Sequence, residues 1–483
     1  MLLLIILLPV ALAAFCAMQK DDFRRWQIAV MLLMQAAATA LCAAVFCTGR
    51  TYATAPLTFA RGIFFSLQSD AFGSFFALLT AICWLFTILY ASVYMKHEHR
   101  EHRDPRFYCF LFLTEASVLG AAFAGDMMTL YLFYELTTVC STPLVLHSLT
   151  GKALMGATKY LYYSIAGAFI ALFGIAVLYQ QGVSMFFVRG GTAAGVSAMT
   201  LVAAFCVILG FCAKAGLFPM HNWLPYAHPV APAPASALLS GIITKVGVVG
   251  SVRLIYFMLG ADRLRGTWVQ TALIALALLT VFMGSFMGVT EDGLKKRLAY
   301  SSISNLSYVL LGVFMMTPLG LVGALLQIFF HALAKIGIFQ CAGAIIFLTE
   351  TDTISGFPGL GKRIPLTMLC FTGLSLSLVG IPPFGGFYSK WYLALAGLDG
   401  MTGLLRYTIP AVLLISALLT GIYLFWPITR TFFPGRDHPA AKRVHEPWRM
   451  MLSLVSFTAL CLILGALHPA VVTVMERITG TIL

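Results

Sequence analysis

Residues 214–247 read KAGLFPMHNWLPYAHPVAPAPASALLSGIITKVG, with a lysine near each end and repeated prolines between them. Long apolar runs flank this stretch, so Lys214 and Lys245 lie where membrane helices are expected. Proline removes a backbone donor and breaks a helix. The prolines are Pro219, Pro225, Pro229, Pro232 and Pro234. Non-helical backbone at membrane depth persists only where it lines a cavity or is buried in protein. The stretch therefore predicts a broken membrane helix beside a polar interior.

The composition around this stretch is that of an integral membrane protein. Of the 483 residues, 60% are hydrophobic and 10% are charged, whereas a soluble domain carries roughly 25% charged residues. Apolar runs of about twenty residues recur along the chain, and each is long enough to cross a bilayer as a helix. The runs are continuous rather than alternating, which favours helices over a barrel. We predict an all-α integral membrane protein with about fourteen transmembrane helices.

A second proline-rich stretch, GIPPFGGF at residues 380–387, interrupts another apolar run with Pro382 and Pro383. The two broken spans are the seventh and twelfth predicted helices, and each has a lysine near its break, Lys214 and Lys390. Paired broken helices at matching positions of two halves are typical of inverted-repeat transporters. We therefore predict two inverted five-helix repeats, formed by helices 4–8 and helices 9–13.

These spans divide the chain into segments. They are residues 1–106 with transmembrane helices 1–3, residues 107–258 with the first repeat, residues 259–433 with the second repeat, and residues 434–483 with a loop and helix 14. The N-terminal stretch MLLLIILLPVALAAFCA lacks the basic region of a signal peptide, so we interpret it as the first membrane helix.

The basic residues follow the topology rather than mark a nucleic-acid site. The net charge is +13, but no basic patch lies on a soluble domain. Lysines and arginines are more than twice as frequent in the loops of one predicted side, which places both termini outside by the positive-inside rule. The 11 cysteines are scattered and form no CxxC pair, so we expect packing residues and no metal ligands.

Lysine occurs repeatedly inside the predicted spans, where a charge costs several kcal/mol or more. The lysines are Lys214, Lys245, Lys335 and Lys390. Such a group requires a hydrated path or a polar partner. Lysine can release its proton when it is desolvated, whereas arginine keeps its charge. Buried lysines are therefore plausible proton carriers.

Acids and histidines extend this set. Glu135 lies within LYLFYELTTVCS, and a carboxylate beside a lysine can exchange protons with it. His331 and Lys335 are spaced i, i+4, which puts both on one helix face. We predict a proton pathway through Glu135, Lys214, Lys245, His331, Lys335 and Lys390. His228 and Glu115 are predicted accessory groups.

Simpler interpretations exist for each residue. A single intramembrane lysine can form a structural ion pair or extend its amine to the interface. For Glu115, a hydrogen bond between helices is as good an explanation as function. Ser301, Ser302 and Ser304 are interpreted as helix-packing residues. The lysines together are harder to explain structurally than any one of them.

At these residues the chain resembles the antiporter-like subunits shared by respiratory complex I, Mrp-type cation/proton antiporters and energy-converting membrane hydrogenases. The resemblance covers roughly residues 70–430. Its motifs are LYLFYELTT, the stretch 214–247, LKKRLAYSSISNLSYVLLG, HALAKIGIFQCAG and GIPPFGGFYSK. The family implies fourteen core helices in two inverted repeats, no bound cofactor, and the inner (plasma) membrane of a prokaryote.

The resemblance also implies roles for individual residues. Glu135 matches the family's essential fifth-helix glutamate, and Lys214 and Lys245 match lysines of the broken seventh and the eighth helix. His331 and Lys335 match the polar pair of the eleventh helix.

Lys390 matches the ionisable residue of the family's broken twelfth helix. One complex I branch has glutamate at this position, so the chain is less similar to that branch.

We hypothesise a proton-translocating subunit that works with other membrane subunits and moves protons, with Na⁺ as a further candidate ion. It is not expected to catalyse alone, but to be the ion-pumping part of a redox-driven translocase such as a hydrogenase or an NADH:quinone oxidoreductase-like complex. The alternatives are a stand-alone cation or solute transporter, a membrane-embedded enzyme that uses the buried glutamate and histidines, and a structural scaffold.

Overall fold

A computed structural model describes residues 1–19, 23–60, 63–97, 104–192, 195–435 and 442–483. Several basic residues used in the comparison of loop charges lie outside this described part. They are Lys20, Arg61, Arg100, Arg103 and Arg436.

The described chain is almost entirely helical. Its first half contains α1 (Leu2–Ala17), α2 (Arg25–Thr48), α3 (Ala71–His97), α4 (Asp104–Ala122), α5 (Met127–Val145), α6 (Gly151–Gln180), α7 (Ala198–Ala215), α8 (Leu224–Val230), α9 (Ala233–Leu238), α10 (Lys245–Val252) and α11 (Ala261–Leu264). Its second half contains α12 (Trp268–Thr290), α13 (Leu294–Phe314), α14 (Pro318–Thr349), α15 (Leu360–Arg363), α16 (Pro365–Val379), α17 (Gly385–Gly400), α18 (Leu405–Phe432), α19 (Trp448–Ala466) and α20 (His468–Ile482). A short antiparallel hairpin, β1 (Leu57–Ala60) and β2 (Ile63–Phe65), precedes α3.

The helical membrane architecture agrees with the prediction. Among the described residues, 9 helices are long and apolar enough to cross a membrane. Other predicted spans, such as α1, α16 and α17, are shorter helices. The count of fourteen membrane crossings therefore stays a prediction.

Helix α14 forms the centre of the molecule. It contacts α3, α9, α13, α16, α17, α19 and α20. Its most apolar window is 94% buried, so the helix has almost no lipid-facing surface. A polar side chain on α14 must consequently find its partners inside the protein.

Both predicted helix breaks are confirmed. Helix α7 ends at Ala215, the next residue Gly216 adopts a left-handed conformation with φ 75°, and α8 begins only at Leu224. Helix α16 ends at Val379, the next residue Gly380 has φ 91°, and α17 begins at Gly385. Glycine adopts positive φ without the steric cost that a side chain brings. At both breaks, a glycine with positive φ therefore follows the last residue of the preceding helix.

The predicted eighth span is irregular rather than a plain α-helix. Its helical segments α9 and α10 are separated by a π-helical turn at Leu239–Ile243, and a second π-helical segment follows at Arg253–Leu259. π-Helical turns inside α-helices are rare and are frequent at functional sites. The first of them lies directly before Lys245.

Several basic residues assigned to loops lie inside helices. Lys159 belongs to α6, and Lys295 and Arg297 belong to α13, where they are 9% and 7% exposed. Arg253 is 1% exposed and forms a salt bridge with Asp70. The loop assignment was wrong for these residues because each finds a partner elsewhere in the fold. Lys159 lies over the Tyr226 ring, Lys295 donates to the backbone oxygen of Ala231, and Arg297 donates to that of Tyr423.

The prediction for the C-terminal segment also omitted one helix. Residues 434–483 contain a second helix, α20, after the predicted fourteenth span. Its buried residues Val472, Met475 and Ile478 lie on one face, while most residues between them are exposed. The helix is too short and too polar to stand out as an apolar span, so hydropathy alone does not reveal it.

Candidate functional site

Most of the predicted pathway residues are buried inside the protein, whereas Glu135 and Lys390 are half-buried. Lys214, Lys245 and Lys335 are 0% exposed and His331 is 2% exposed. They belong to α7, α10 and α14. These amines therefore face protein and not lipid.

Lys214 in the last turn of α7 is held by helix α5. Its Nζ donates to the backbone oxygen of Tyr134 at 2.7 Å and to Oγ1 of Thr138 at 2.8 Å. The amine also lies 3.9 Å from the centre of the Tyr134 ring, within cation–π range. The C-terminal end of α7 favours a cation at this position.

Glu135 is the neighbour of Tyr134 on α5 and is half-buried. Its Oε1 is buried and has no hydrogen-bond partner among the described residues. No ion pair within 4.0 Å joins these two described side chains, Glu135 and Lys214. The carboxylate is thus near the amine through the shared turn of α5 but is not locked to it.

Glu135 also reaches the molecular surface. It lines a cavity of about 490 Å³ together with apolar side chains that include Phe65, Leu132 and Val139. Leu132 and Val139 are 46% and 60% exposed. Glu135 therefore lies at the boundary between the polar interior and an apolar outer face.

Lys245 and His331 are in direct contact. Lys245 Nζ lies 3.0 Å from His331 Nδ1. The same amine donates to the backbone oxygens of Ser240 at 3.3 Å and Gly241 at 2.5 Å. Both oxygens belong to the π-helical turn before Lys245, which directs them at the amine. A side chain at Gly241 would collide with Ile336 of α14, so the glycine allows the two helices to meet.

A small cavity connects His331 with Lys390. Its volume is about 10 Å³, and Asn305, Gln327 and Ser377 contribute polar atoms to its wall. This volume is near the minimum that holds one water molecule. His331 Nε2 is buried without a hydrogen-bond partner among the described residues. The two ring nitrogens of His331 thus have different surroundings.

Lys390 on α17 is held by the end of the preceding helix. Its Nζ donates to the backbone oxygens of Leu378 at 2.6 Å and Val379 at 2.9 Å. These are the last carbonyl groups of α16, which have no partner within their own helix. The amine therefore caps the C-terminal end of the first half of the broken helix.

Lys335 does not share the contacts of His331, although both lie on α14. Its Nζ donates to the backbone oxygen of Leu298 on α13 at 3.0 Å and lies 5.9 Å from the Phe339 ring. His228 stacks on Phe339 with ring centroids 4.8 Å apart. Both His228 ring nitrogens are buried without a partner among the described residues. Lys335 and His228 thus form a second polar cluster around Phe339.

Glu115 lies apart from these groups. It is 0% exposed and accepts a hydrogen bond from Gln35 Nε2 of α2 at 2.5 Å. The contact agrees with the interpretation of Glu115 as a helix–helix hydrogen-bond partner, and its accessory role stays a prediction.

Sequence reasoning missed polar residues that continue the α14 stripe. Gln327 Nε2 donates to Asn305 Oδ1 at 3.1 Å, and Ser389 Oγ donates to Gln327 Oε1 at 2.5 Å. Gln327 precedes His331 by four residues, so the i, i+4 rule that paired His331 with Lys335 also reaches Gln327. The serines interpreted as packing residues include Ser302, which shares a hydrogen bond of 2.7 Å with Ser240 beside Lys245.

The ion pair between the buried Arg253 and the partly exposed Asp70 was also missed. Arg253 donates to both oxygens of Asp70 and to the backbone oxygen of Ala122 at 3.2 Å. The signal in the sequence was an arginine within the apolar run VGSVRLIYFML. The pair joins α3, α4 and the second π-helical segment and leaves no free charge, which indicates a structural role.

Metal ligation has no site in the described part of the chain. Within it, no group of three or more histidine, cysteine, aspartate or glutamate side chains comes together as metal ligands. The chemistry that the described groups offer is proton exchange between amines, imidazoles and a carboxylate.

Comparison with known proteins gives a consistent result. Residues 124–420 match the family model described as NADH:quinone oxidoreductase/Mrp antiporter, TM. The NADH-quinone oxidoreductase subunit N of Desulforudis audaxviator is 32% identical over 372 residues, which cover 76% of this chain and 72% of that protein. A Na(+)/H(+) antiporter subunit of Bacillus subtilis is 30% identical over 399 residues, covering 80% and 78% of the two chains. A chain in the structure of the Mrp complex from Dietzia sp. has the same fold, with a TM-score of 0.86, 21% identity and coverage of 100% and 97%.

Proposed function

Because the chain belongs to the NADH:quinone oxidoreductase/Mrp antiporter transmembrane family, we propose that it is a proton-translocating, antiporter-like subunit of a multi-subunit membrane complex. The multi-pass helical architecture agrees with this assignment. The relatives are themselves named as subunits, which favours a subunit over a stand-alone transporter.

The contact between Lys245 and His331 is the observation that carries the proposal. An ammonium group only donates and a neutral imidazole nitrogen accepts, so the 3.0 Å contact holds one proton between two bases. Transfer of that proton from Nζ to Nδ1 leaves a neutral amine and an imidazolium. The imidazolium can then release the proton of Nε2 on the other side of the ring. His331 thus acts as a relay from Lys245 to the cavity that reaches Lys390.

Glu135 and Lys214 form the other end of the proposed pathway. Glu135 lies at the apolar outer face, and Lys214 lies behind it in the interior. Because the two are not locked in an ion pair, a small movement of α5 against α7 changes their mutual attraction and hence the charge that each carries. Lys214 then exchanges protons with Lys245 across the contact between α7 and α10.

Lys335 and His228 form a proposed side branch. They flank Phe339 and meet the main pathway on α14, four residues from His331. His228 has two free ring nitrogens among the described residues and can accept a proton when Lys335 releases one. We assign the pair an accessory role, and Glu115 a lesser one because it lies outside both clusters.

The two-repeat division at residues 107–258 and 259–433 is part of the proposal. Each repeat contains a left-handed glycine followed three residues later by a proline, Gly216 with Pro219 and Gly380 with Pro383. We also propose that both termini face outside, from the bias of basic residues. The driving force comes from a redox partner or from a cation gradient that neighbouring subunits handle.

The test is Lys245→Ala in the intact complex, assayed by proton uptake into inverted membrane vesicles under the complex's own driving reaction. We expect at least a tenfold loss of proton uptake, because a positioned acid–base group contributes roughly 10²-fold or more to proton transfer. Lys152→Ala is the matched control, since Lys152 is exposed at the start of α6. Unchanged proton uptake in a correctly assembled Lys245→Ala complex refutes the pathway.

A further inference from the structure

A basic cavity of about 720 Å³ lies where α3 ends and where α2 and α19 begin. The side chains of Arg25, Lys96, His445 and Arg449 line it. Among the described residues of its wall there is no aspartate or glutamate. Basic side chains that converge from separate helices at a membrane surface are typical of sites for anionic headgroups.

The local backbone strengthens this preference for an anion. Arg25 and Trp448 are the first residues of α2 and α19, so the positive ends of two helix dipoles point towards the cavity. The residue before α19, Pro447, provides no side-chain acceptor for the free amide groups of that helix. Glu446, the carboxylate nearest in sequence, lines an adjoining cavity together with Arg443, and it accepts hydrogen bonds from Thr367 N at 2.8 Å and Thr367 Oγ1 at 2.6 Å.

An apolar groove continues from the basic cavity. A second cavity of about 700 Å³ shares Val444, His445 and Trp448 with the first. It extends over Leu452 and Val455 on α19, which are 46% and 39% exposed. Trp448 is 66% exposed at the junction, a position that tryptophan favours at membrane interfaces.

We propose that the two cavities together bind one anionic phospholipid. Its phosphate contacts Arg25, Lys96 and Arg449, and one acyl chain lies in the groove over Leu452 and Val455. A soluble phosphate ion shares the headgroup chemistry but leaves the apolar groove uncovered. A helix of a partner subunit fits the groove but leaves the basic cavity without counter-charge. A phospholipid provides the negative charge for the basic cavity and an acyl chain that covers the apolar groove.

The experiment measures lipid preference next to Trp448. The full chain is reconstituted into phosphatidylcholine vesicles that contain brominated phosphatidylglycerol or brominated phosphatidylcholine at equal mole fraction. The quenching of Trp448 fluorescence is isolated by subtraction of the Trp448→Phe protein. We expect at least an approximately fivefold preference for phosphatidylglycerol, since one basic residue near a membrane surface contributes about that factor.

The triple variant Arg25→Gln, Lys96→Gln, Arg449→Gln is expected to lose this preference. The matched control is Lys152→Gln, Lys362→Gln, Arg430→Gln, which removes three exposed basic residues outside both cavities and retains the preference. Equal quenching by the two lipids in the unmodified protein overturns the proposal. If inorganic phosphate abolishes the preference for phosphatidylglycerol, the cavity binds a soluble anion and the lipid assignment is overturned. A photo-crosslinking residue at Leu452 that reacts with a partner chain instead of lipid, in native membranes, also overturns it.

Discussion

The two broken helices end alike but hold their lysines differently. At the first break, Lys214 precedes the break and donates to another helix, α5, beside the carboxylate of Glu135. At the second break, Lys390 follows the break and donates to the carbonyl groups of α16, the first half of its own broken helix. Neither lysine has a carboxylate oxygen within 4.0 Å among the described residues, but Glu135 follows directly on Tyr134, which accepts from Lys214.

This difference indicates two kinds of control over an amine. The surroundings of Lys214 change when α5 moves or when Glu135 gains a proton. The hydrogen-bond partners of Lys390 are backbone oxygens, which do not titrate, and His331 lies across the small cavity that both side chains line. We infer that the first break is the adjustable end of the proposed pathway and the second break is its rigid end.

The packing of the breaks offers the strongest way to test this inference. An added Cβ at Gly386 would overlap the backbone oxygen of Ser377, whereas one at Gly216 meets only the flexible end of Leu224 at 2.6 Å. We expect Gly386→Ala to lower the free energy of unfolding by more than about 3 kcal/mol, because backbone cannot yield to overpacking. Gly216→Ala is expected to cost about 1 kcal/mol from its positive φ. Unfolding of the purified chains in detergent measures both.

Equal losses of unfolding free energy in Gly386→Ala and Gly216→Ala would contradict the contrast between a rigid and an adjustable break. Gly403→Ala serves as a control for positive φ alone, since Gly403 has φ 59° and no atom within 4 Å of an added Cβ.

Replacement of Lys390 by arginine, which keeps its proton, tests whether Lys390 carries protons or only caps a helix. Lys390→Arg keeps the positive charge and can still donate to Leu378 and Val379, but arginine does not release its proton. We expect proton uptake by the intact complex to fall roughly 10²-fold while thermal stability stays within a few degrees. Lys362→Arg, on the exposed surface, is the control. If the Lys390→Arg complex takes up protons at the normal rate, Lys390 only caps helix α16 and does not carry protons.

The adjustable end is probed by Glu135→Gln. The amide keeps the shape of the side chain but removes its charge, so Lys214 loses the acidic neighbour that α5 provides. We expect proton uptake to fall about tenfold, less than for Lys390→Arg, because Lys214 keeps both hydrogen bonds. Leu136→Ala, on the exposed side of α5, controls for changes at the outer face. A Glu135→Gln complex with full uptake would remove Glu135 from the pathway.

The contrast also shows what the sequence could predict. Charges within apolar runs identified lysines that the structure buries, and prolines with glycines identified both breaks, because lipid strongly penalises unpaired charges and open backbone. The partners of those lysines were not predictable. Lys214 donates to a backbone oxygen of α5 and Lys335 donates to one of α13. Because every residue has a backbone oxygen, the sequence does not show which of them accepts the hydrogen bond.

Contacts between helices that are far apart in the sequence could not be predicted either. Arg253 pairs with Asp70, which lies on another part of the chain, and only packing brings the two together. The π-helical turn at Leu239–Ile243 packs against α14, and Lys245 contacts His331 of that helix. The position of Lys245 in the sequence alone did not reveal this contact.

The smallest expected effect concerns a single hydrogen bond at the adjustable end. Thr138→Ala removes one acceptor of Lys214 and leaves the Tyr134 oxygen and ring. The loss of one hydrogen bond of about 1 kcal/mol corresponds to roughly a fivefold fall in proton uptake. Thr137→Ala is the matched control, because Thr137 is equally buried and donates to Phe133 of its own helix. If the two variants lower uptake equally, the effect comes from packing of α5, and Lys214 does not depend on its side-chain acceptor. If only Thr138→Ala lowers uptake, the amine is tuned by the face of α5 that also carries Tyr134, as the difference between the two breaks requires.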